Sequence, residues 1–408
     1  MKSESFATKR SGLTIFWAFV LALVLSSIVL SAEGRELNES FWGPYLTLKD
    51  GSTVVVNWKS DQGYIGGLNY ERADFYLENE ELRKSAREQE GGGLFHHVEL
   101  DGLTPGMEYV YSIGKDSGDR GVNYFGNPRD DPSNFTFFVY GDTRTCPGRH
   151  RLVASEMALD PFDPSFIIHT GDLVESPVSN NWSDFFWAIK PFSKSTPILP
   201  VLGNHERNHE SYYDAFGLPQ GGGDYGEQWY SFSHGGAKFI VLDSNADQMG
   251  LSNFLEEREW LVEELENNTK PVTVVIFHHP IYSSVYSEGV DAGLADSWGS
   301  LFEKHGVDLV FNGHVHSYER AVKNGVTYVV TGGGGAPTGN LSSRFDFSRK
   351  AKGDSLHYVR VSMDKSEIKL QTIEVARINR DADAGRVDCN VDMTADRVVI
   401  DEAVIDVS

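Results

Sequence analysis

Pro200-Val201-Leu202-Gly203-Asn204-His205-Glu206 decides the fold of this chain. The apolar run that begins at Ile198 stops at a glycine, and an amide, an imidazole and a carboxylate follow. A buried strand that delivers polar groups at its C-terminal end is the pattern of an open α/β sheet, whose site lies beyond the strand ends. The pattern recurs in Val139-Tyr140-Gly141-Asp142, Ile168-His169-Thr170-Gly171-Asp172, Val275-Ile276-Phe277-His278-His279-Pro280 and Val310-Phe311-Asn312-Gly313-His314-Val315-His316. Five strand ends thus offer Asp, Asp, Asn-His, His and His-x-His. Carboxylate, amide and imidazole donors together suit Fe, Zn or Mn better than Ca or Mg. Donors in this number suit two such ions.

Around these strands, residues 133–376 alternate apolar runs with amphipathic stretches, the α/β pattern. One helix reads clearly, with Ser252 as N-cap, Glu256 and Glu257 on an acidic solvated face, and Leu261 and Leu265 turned inward. Thr331-Gly332-Gly333-Gly334-Gly335-Ala336 fits neither a Walker nor a dinucleotide fingerprint and reads as a tight turn near the site. Strands at 357–361 and 367–372 are expected to pair as a hairpin that finishes this domain. Residues 377–408 form an acid-rich extension that the pattern leaves unassigned.

Residues 42–132 read differently: short strands, Gly and Pro punctuation, and no helical period, as in a small β-sandwich. His96 and His97 flank one of these strands and read as surface or edge histidines. Residues 120–133 are polar and serve as a linker. Ahead of the sandwich, residues 11–32 carry no charge and follow Lys9 and Arg10, so 1–36 reads as a signal peptide or an uncleaved membrane anchor. Either places the bulk of the chain outside the cytoplasm, secreted or held at the cell surface. Sequons such as Asn134-Phe135-Thr136 and Asn340-Leu341-Ser342 are compatible with export.

Across 408 residues the chain has 59 acidic and 36 basic side chains, a formal net charge of −23. A field of that sign disfavours nucleic acid as a partner and repels anionic substrates unless bound cations reverse it locally. The two cysteines, Cys146 and Cys389, form no C-x-x-C centre. They are compatible with a disulfide between the tail and the loop after Asp142, a pairing the sequence leaves open.

In this order the five motifs resemble those of the calcineurin-like metallophosphoesterases. The longer run Gly313-His314-Val315-His316-Ser317-Tyr318-Glu319-Arg320 is similar to that of the purple acid phosphatases. Leu100-Asp101-Gly102-Leu103-Thr104-Pro105-Gly106 in turn resembles a fibronectin type III strand, as in the N-terminal domain of those enzymes. The resemblance implies a multidomain chain, an N-terminal all-β sandwich followed by a four-layer αββα metallophosphoesterase domain. It implies two divalent or trivalent ions, Fe with Zn, Mn or Fe. Asp142, Asp172 and His316 would hold the first ion, Asp172 would bridge, and Asn204, His278 and His314 would hold the second. His205 would stand beside the phosphate as donor and acid, and His279 would orient a neighbour. The reaction implied is hydrolysis of a small phosphate monoester by a metal-bridging hydroxide. Phosphodiester or nucleotide cleavage on the same site is the alternative, and a surface-binding protein with a degenerate catalytic domain is a further one.

Three departures bear on this. The family's coloured tyrosine, three residues after the bridging aspartate, is replaced by Glu175, a candidate metal or outer ligand. The histidine that relatives outside the purple branch carry two residues after the first aspartate is replaced by Arg144, which reads either as a phosphate clamp or as a partner of Glu175. The histidines that plant members carry downstream of Val-x-x-His are absent, with Ser283, Ser284 and Tyr286 in that region, and His209 is a candidate substitute. Tyr318, Glu319 and Arg320 read as supports for the His-x-His loop. Oligomeric state is left open.

Overall fold

A computed structural model describes residues 41–407 apart from 51–52, 90, 115–120, 128–133, 287–289, 340, 342–344, 379–388 and 390–392. The 1–36 segment, residues 120 and 128–133 of the expected linker, and Asn340 lie outside the described residues; the rest of that stretch is not a linker, since Asn123–Gly126 is a strand of the sandwich. No helix among the described residues is long and apolar enough to cross a membrane.

The first unit of structure is a β-sandwich. Its strands are β1 (Trp42–Leu48), β2 (Val54–Lys59), β3 (Gly67–Arg72), β4 (Lys84–Arg87), β5 (Phe95–Leu100), β6 (Glu108–Ser112) and β7 (Asn123–Gly126), with a short helix α1 (Ala73–Asn79) after β3. They form one sheet in the order β1-β2-β5 and another in the order β4-β3-β6-β7. The two histidines lie on β5, an edge strand of its sheet, but are not left on the surface. His96 is buried, with ring centroids 4.9 Å from Trp58 and 4.3 Å from Tyr64. His97 reaches across to the following domain, its Nε2 lying 3.1 Å from the Asp214 carbonyl oxygen.

The second unit packs two sheets face to face. One runs β10-β9-β8-β18-β19-β20, and the other runs β11-β12-β13-β14-β16-β15-β17. Three parallel strands of the first sheet, β8 (Asn134–Tyr140), β9 (Ile167–His169) and β10 (Ile198–Pro200), end in register, with Tyr140, His169 and Pro200 in one row. In the second sheet β11 (Tyr230–His234) precedes β12 (Ala237–Val241), β13 (Val272–Ile276), β14 (Leu309–Asn312), β15 (Tyr318–Lys323) and β16 (Val326–Thr331). There the parallel strands align Val241, Ile276, Phe311 and Val329. Every residue of β13 is buried, as expected of a central parallel strand covered on both faces. Phe137 and Phe239 meet edge to face at 5.2 Å between the sheets. Outside them lie α2 (Pro147–Ala158), α3 (Ser179–Ile189), α4 (Glu210–Ala215) and α5 (Ala246–Glu266).

The helix α5 begins six residues before Ser252 and breaks at Gly250, whose φ of 78° is left-handed. Its acidic face is not all solvated: Glu257 is fully buried, and it accepts a hydrogen bond from the Asp243 amide.

Sandwich and sheets share one core. Trp42 donates to Ser183 Oγ at 2.9 Å, Tyr45 stacks 4.4 Å from Phe186 and donates to the Ala215 carbonyl, and the Leu46 amide donates to Ser193.

After β17 (Ser348–Lys352), the hairpin forms from β18 (Ser355–Asp364) and β19 (Glu367–Ile378), and the tail adds β20 (Met393–Asp406) along β19. Three clamps hold the tail. Cys389 is bonded to Cys146, Arg397 donates to Asp160 at 2.6 Å beside Arg360, and Asp401 accepts from Tyr318 at 2.7 Å and from Arg320 at 2.7 Å. The disulfide spans 243 residues, and long closed loops are where a cross-link restricts the unfolded chain most. The Cys146→Ser/Cys389→Ser double variant is expected to lose about 2–5 kcal/mol of stability in denaturant unfolding relative to the oxidised protein.

Candidate metal centre

The row of strand ends sets the distances. From Tyr140, His169 and Pro200 the chain runs two, three and four residues to Asp142, Asp172 and Asn204, and from Ile276 and Phe311 two and three residues to His278 and His314. Each first loop must turn sharply to bring a side chain back over its strand. Asp142, Asp172 and His314 accordingly take φ values of 57°, 56° and 65°, a region that non-glycine residues rarely enter.

These turns bring six of the expected residues into one cluster. Donor atoms of Asp142, Asp172 and His316 lie within 4.8 Å of one another, as do those of His278, His279 and His314. Asn204 Oδ1 lies 3.2 Å from His278 Nε2 and 3.1 Å from His314 Nδ1. Asp172 Oδ1 lies 3.3 Å from His278 Nε2, so this carboxylate faces both groups.

The donor set fits metal on its own geometry. His278 Nδ1 donates to the Thr170 carbonyl at 2.8 Å and His316 Nδ1 to the Pro337 carbonyl at 2.8 Å, which leaves Nε2 of each facing the carboxylates. Imidazoles fixed in this way by a carbonyl are typical of metal ligands. Electrostatics pull in two directions: burial alone would lower His278 and His316, but Asp172 holds His278 up to about 9 and Asp142 raises His316. Burial alone would raise Asp172, but His278 and His205 hold it well below the usual range. Burial pushes His314 down to about 4 and His279 to about 2, with His278 adding to both, so their lone pairs are free at neutral pH. His279 was not expected among the donors. Its Nδ1 is 2.8 Å from Ser244 Oγ, a contact between loops that no local motif announces.

The remaining candidates sit around this cluster. His205 Nδ1 donates to the Glu175 carbonyl at 2.8 Å, and its Nε2 stands 3.9 Å from Asp172. Arg144 donates through Nε to Asp172 at 3.2 Å and through Nη1 to Glu175 at 2.8 Å. The Glu175 carboxylate is thus turned to Arg144 and Thr145. Of the two readings of Arg144, the pairing with Glu175 is the one present. His209 serves its own helix: it is the N-cap of α4 and accepts from the Ser211 amide.

The glycine run after β16 is a close-packed turn. The Gly334 amide donates to the Gly141 carbonyl at 2.8 Å, and a Cβ at Gly334 would stand 2.4 Å from that oxygen. Glu319 holds the neighbouring loop by accepting from Ser284 Oγ at 2.5 Å and from the Ser284 amide at 2.8 Å.

Beneath the ligands lies Glu206, fully buried. Its Oε2 accepts from the Asp172 amide at 3.0 Å and the Gly203 amide at 2.7 Å, and its Oε1 from the Val174 amide at 3.1 Å. Burial, and the negative charge of Asp172 beside it, push this carboxyl up. Glutamine would turn an NH₂ group toward one of these N–H donors. The Glu206→Gln protein is expected to keep its far-UV circular dichroism and to bind Zn²⁺ about 10–100-fold more weakly by equilibrium titration.

The chain matches two family descriptions in sequence. Residues 135–318 match "Calcineurin-like phosphoesterase", and residues 42–136 match "Purple acid Phosphatase, N-terminal domain". An uncharacterized protein of Mycobacterium tuberculosis is 28% identical over 270 residues, 55% of this chain and 50% of that protein. An Fe(3+)-Zn(2+) purple acid phosphatase of Arabidopsis thaliana is 26% identical over 317 residues, 70% of this chain and 65% of that one. The chain thus spans half to just under two thirds of the length of these relatives. The solved structure of a purple acid phosphatase from yellow lupin seeds superposes with a TM-score of 0.71 at 18% identity, over 90% of this chain and 74% of that one, which shows the shared fold.

Proposed function

This chain belongs to the calcineurin-like phosphoesterases and carries a purple acid phosphatase N-terminal domain, and from that footing we propose that it hydrolyses phosphate monoesters with two bound metal ions. The observation that carries the reading is the convergence of Asp142, Asp172 and His316 with Asn204, His278 and His314, Asp172 facing both sets. Bound there, two first-row cations supply a hydrolytic water of lowered pKa and offset the charge of the phosphate.

The side chains around them divide the remaining work. His205 is anchored through Nδ1 to the Glu175 carbonyl, so Nε2 is the atom that gives a proton to the departing oxygen. Arg144 offers its guanidinium to a phosphate oxygen. In the substrate-free arrangement Glu175 occupies Nη1, and the carboxylate, 45% exposed, has room to leave. Glu175 stands where the coloured members of the family have their tyrosine, and here it holds Arg144. Export from the cytoplasm is supported by the Cys146–Cys389 bond, because such bonds persist in oxidising compartments.

Turnover of an aryl phosphate monoester by the metal-reconstituted protein, beside the matching diester, tests the reading. Asn204→Ala is expected to abolish most monoester turnover. His205→Ala is expected to lose about 10²–10⁴ in rate, more with an alkoxide leaving group than with a nitrophenolate. Faster cleavage of the diester would move the activity to the phosphodiesterases, and silence with metal demonstrably bound would sink the reading. A second outcome concerns colour. Without a phenolate ligand, the iron-loaded protein should lack an intense visible absorption band, and a strong one would exclude this account of Glu175.

A further inference from the structure

We propose that the part of the substrate beyond the phosphate is an uncharged aryl or branched alkyl group, held in an apolar recess at the His314–His316 edge of the centre. The proposal rests on the monoesterase reading above and adds the substrate class.

The recess has a volume of 290 Å³ and is bordered by both histidines of the His-x-His loop. A cavity of about 150 Å³ with apolar walls is enough for a benzene ring. Val285, Tyr286, Val315, Pro337 and Leu341 line it, and among the described residues no lining side chain bears a carboxylate, an ammonium or a guanidinium. Ser317 and Gly339 complete the lining.

Its walls are fixed from behind. The 283–286 turn is tied to Glu319 through Ser284 and closed by the Tyr286 amide donating to Ser283. Pro337 is tied to the centre by the His316 Nδ1–H, and Gly339 donates to the His316 carbonyl. Val285 is nonetheless 50% exposed, an apolar side chain left in water next to a polar centre. A ring seated against it would remove that apolar surface from water, which is favourable.

A second, smaller space of 180 Å³ is bordered by Arg144, Glu175 and Asp184 together with Pro147, Leu173, Val174 and Phe185, so it carries charged groups that the recess lining lacks. Charge points the same way. A second anionic group on the substrate would meet no cation in the recess and would approach against the field of a chain of net charge −23.

Binding and turnover test this separately. For the metal-loaded full chain, phenylphosphonate is expected to bind about ten-fold or more tightly than methylphosphonate, a difference of the size one apolar group makes. Phenyl phosphate should likewise exceed 3-carboxyphenyl phosphate, whose phenolate leaving group is of similar basicity but bears a carboxylate, by about ten-fold or more in kcat/KM. Val285→Lys and Leu341→Lys each put a cation into the recess and should shrink both ratios, while Leu77→Lys, on the sandwich, leaves them unchanged. Equal binding of the two phosphonates, or ratios indifferent to both recess variants, would overturn the proposal. A phosphonate preference that disappears in the variants, in a protein that cleaves no monoester, would uphold the recess and remove the monoesterase reading alone.

Discussion

The Glu206 carboxylate, buried and receiving three backbone N–H groups, is the constraint on which the centre depends. Two of its donors belong to the loop of Asp172 and one to the loop of Asn204. A buried N–H without a partner is costly, so neither loop can move without leaving donors unmet. The separation between Asp172 and Asn204 is therefore set by one side chain beneath them. Ligands above can be exchanged by evolution or experiment; the acceptor below fixes where they stand.

From that knot the geometry spreads outward through strand register. Tyr140, His169 and Pro200 share a row, and Ile276 and Phe311 share another. The Thr170 carbonyl, accepting from His278, stitches the two sheets together at their ends. Left-handed turns at Asp142, Asp172 and His314 are the local expense of this convergence. The close approach of Gly334 to Gly141 shows the same demand, since any side chain there would push the first loop off its strand.

What was legible in the sequence was whatever a few adjacent residues could announce. Apolar runs ending in glycine and then in a ligand gave the strands, their direction and six of the clustered donors, because strand, turn and ligand are consecutive in the chain. Glu257 was misread as solvated because helical spacing cannot tell a carboxylate under Asp243 from one in water. His96 lies on an edge strand as expected but is not on the surface, because Trp58, opposite it on β2, and Tyr64 cover it. His279 looked subsidiary because its partner, Ser244, is 35 residues away. Of the acidic tail only Cys389 was legible, as a candidate partner of Cys146. The tail's three clamps join residues that only the fold brings together.

That tail has a consequence for the order in which the centre is built. Cys389 holds the end of the loop that carries Asp142, and Asp401 holds Tyr318 and Arg320, just past His316. Both clamps leave the ribosome after every candidate ligand has already emerged. A nascent chain that has reached the end of β19 carries the full donor set with neither clamp in place. Such a chain holds every candidate donor without the two clamps on their loops, and what β20 adds is rigidity around a donor set already present.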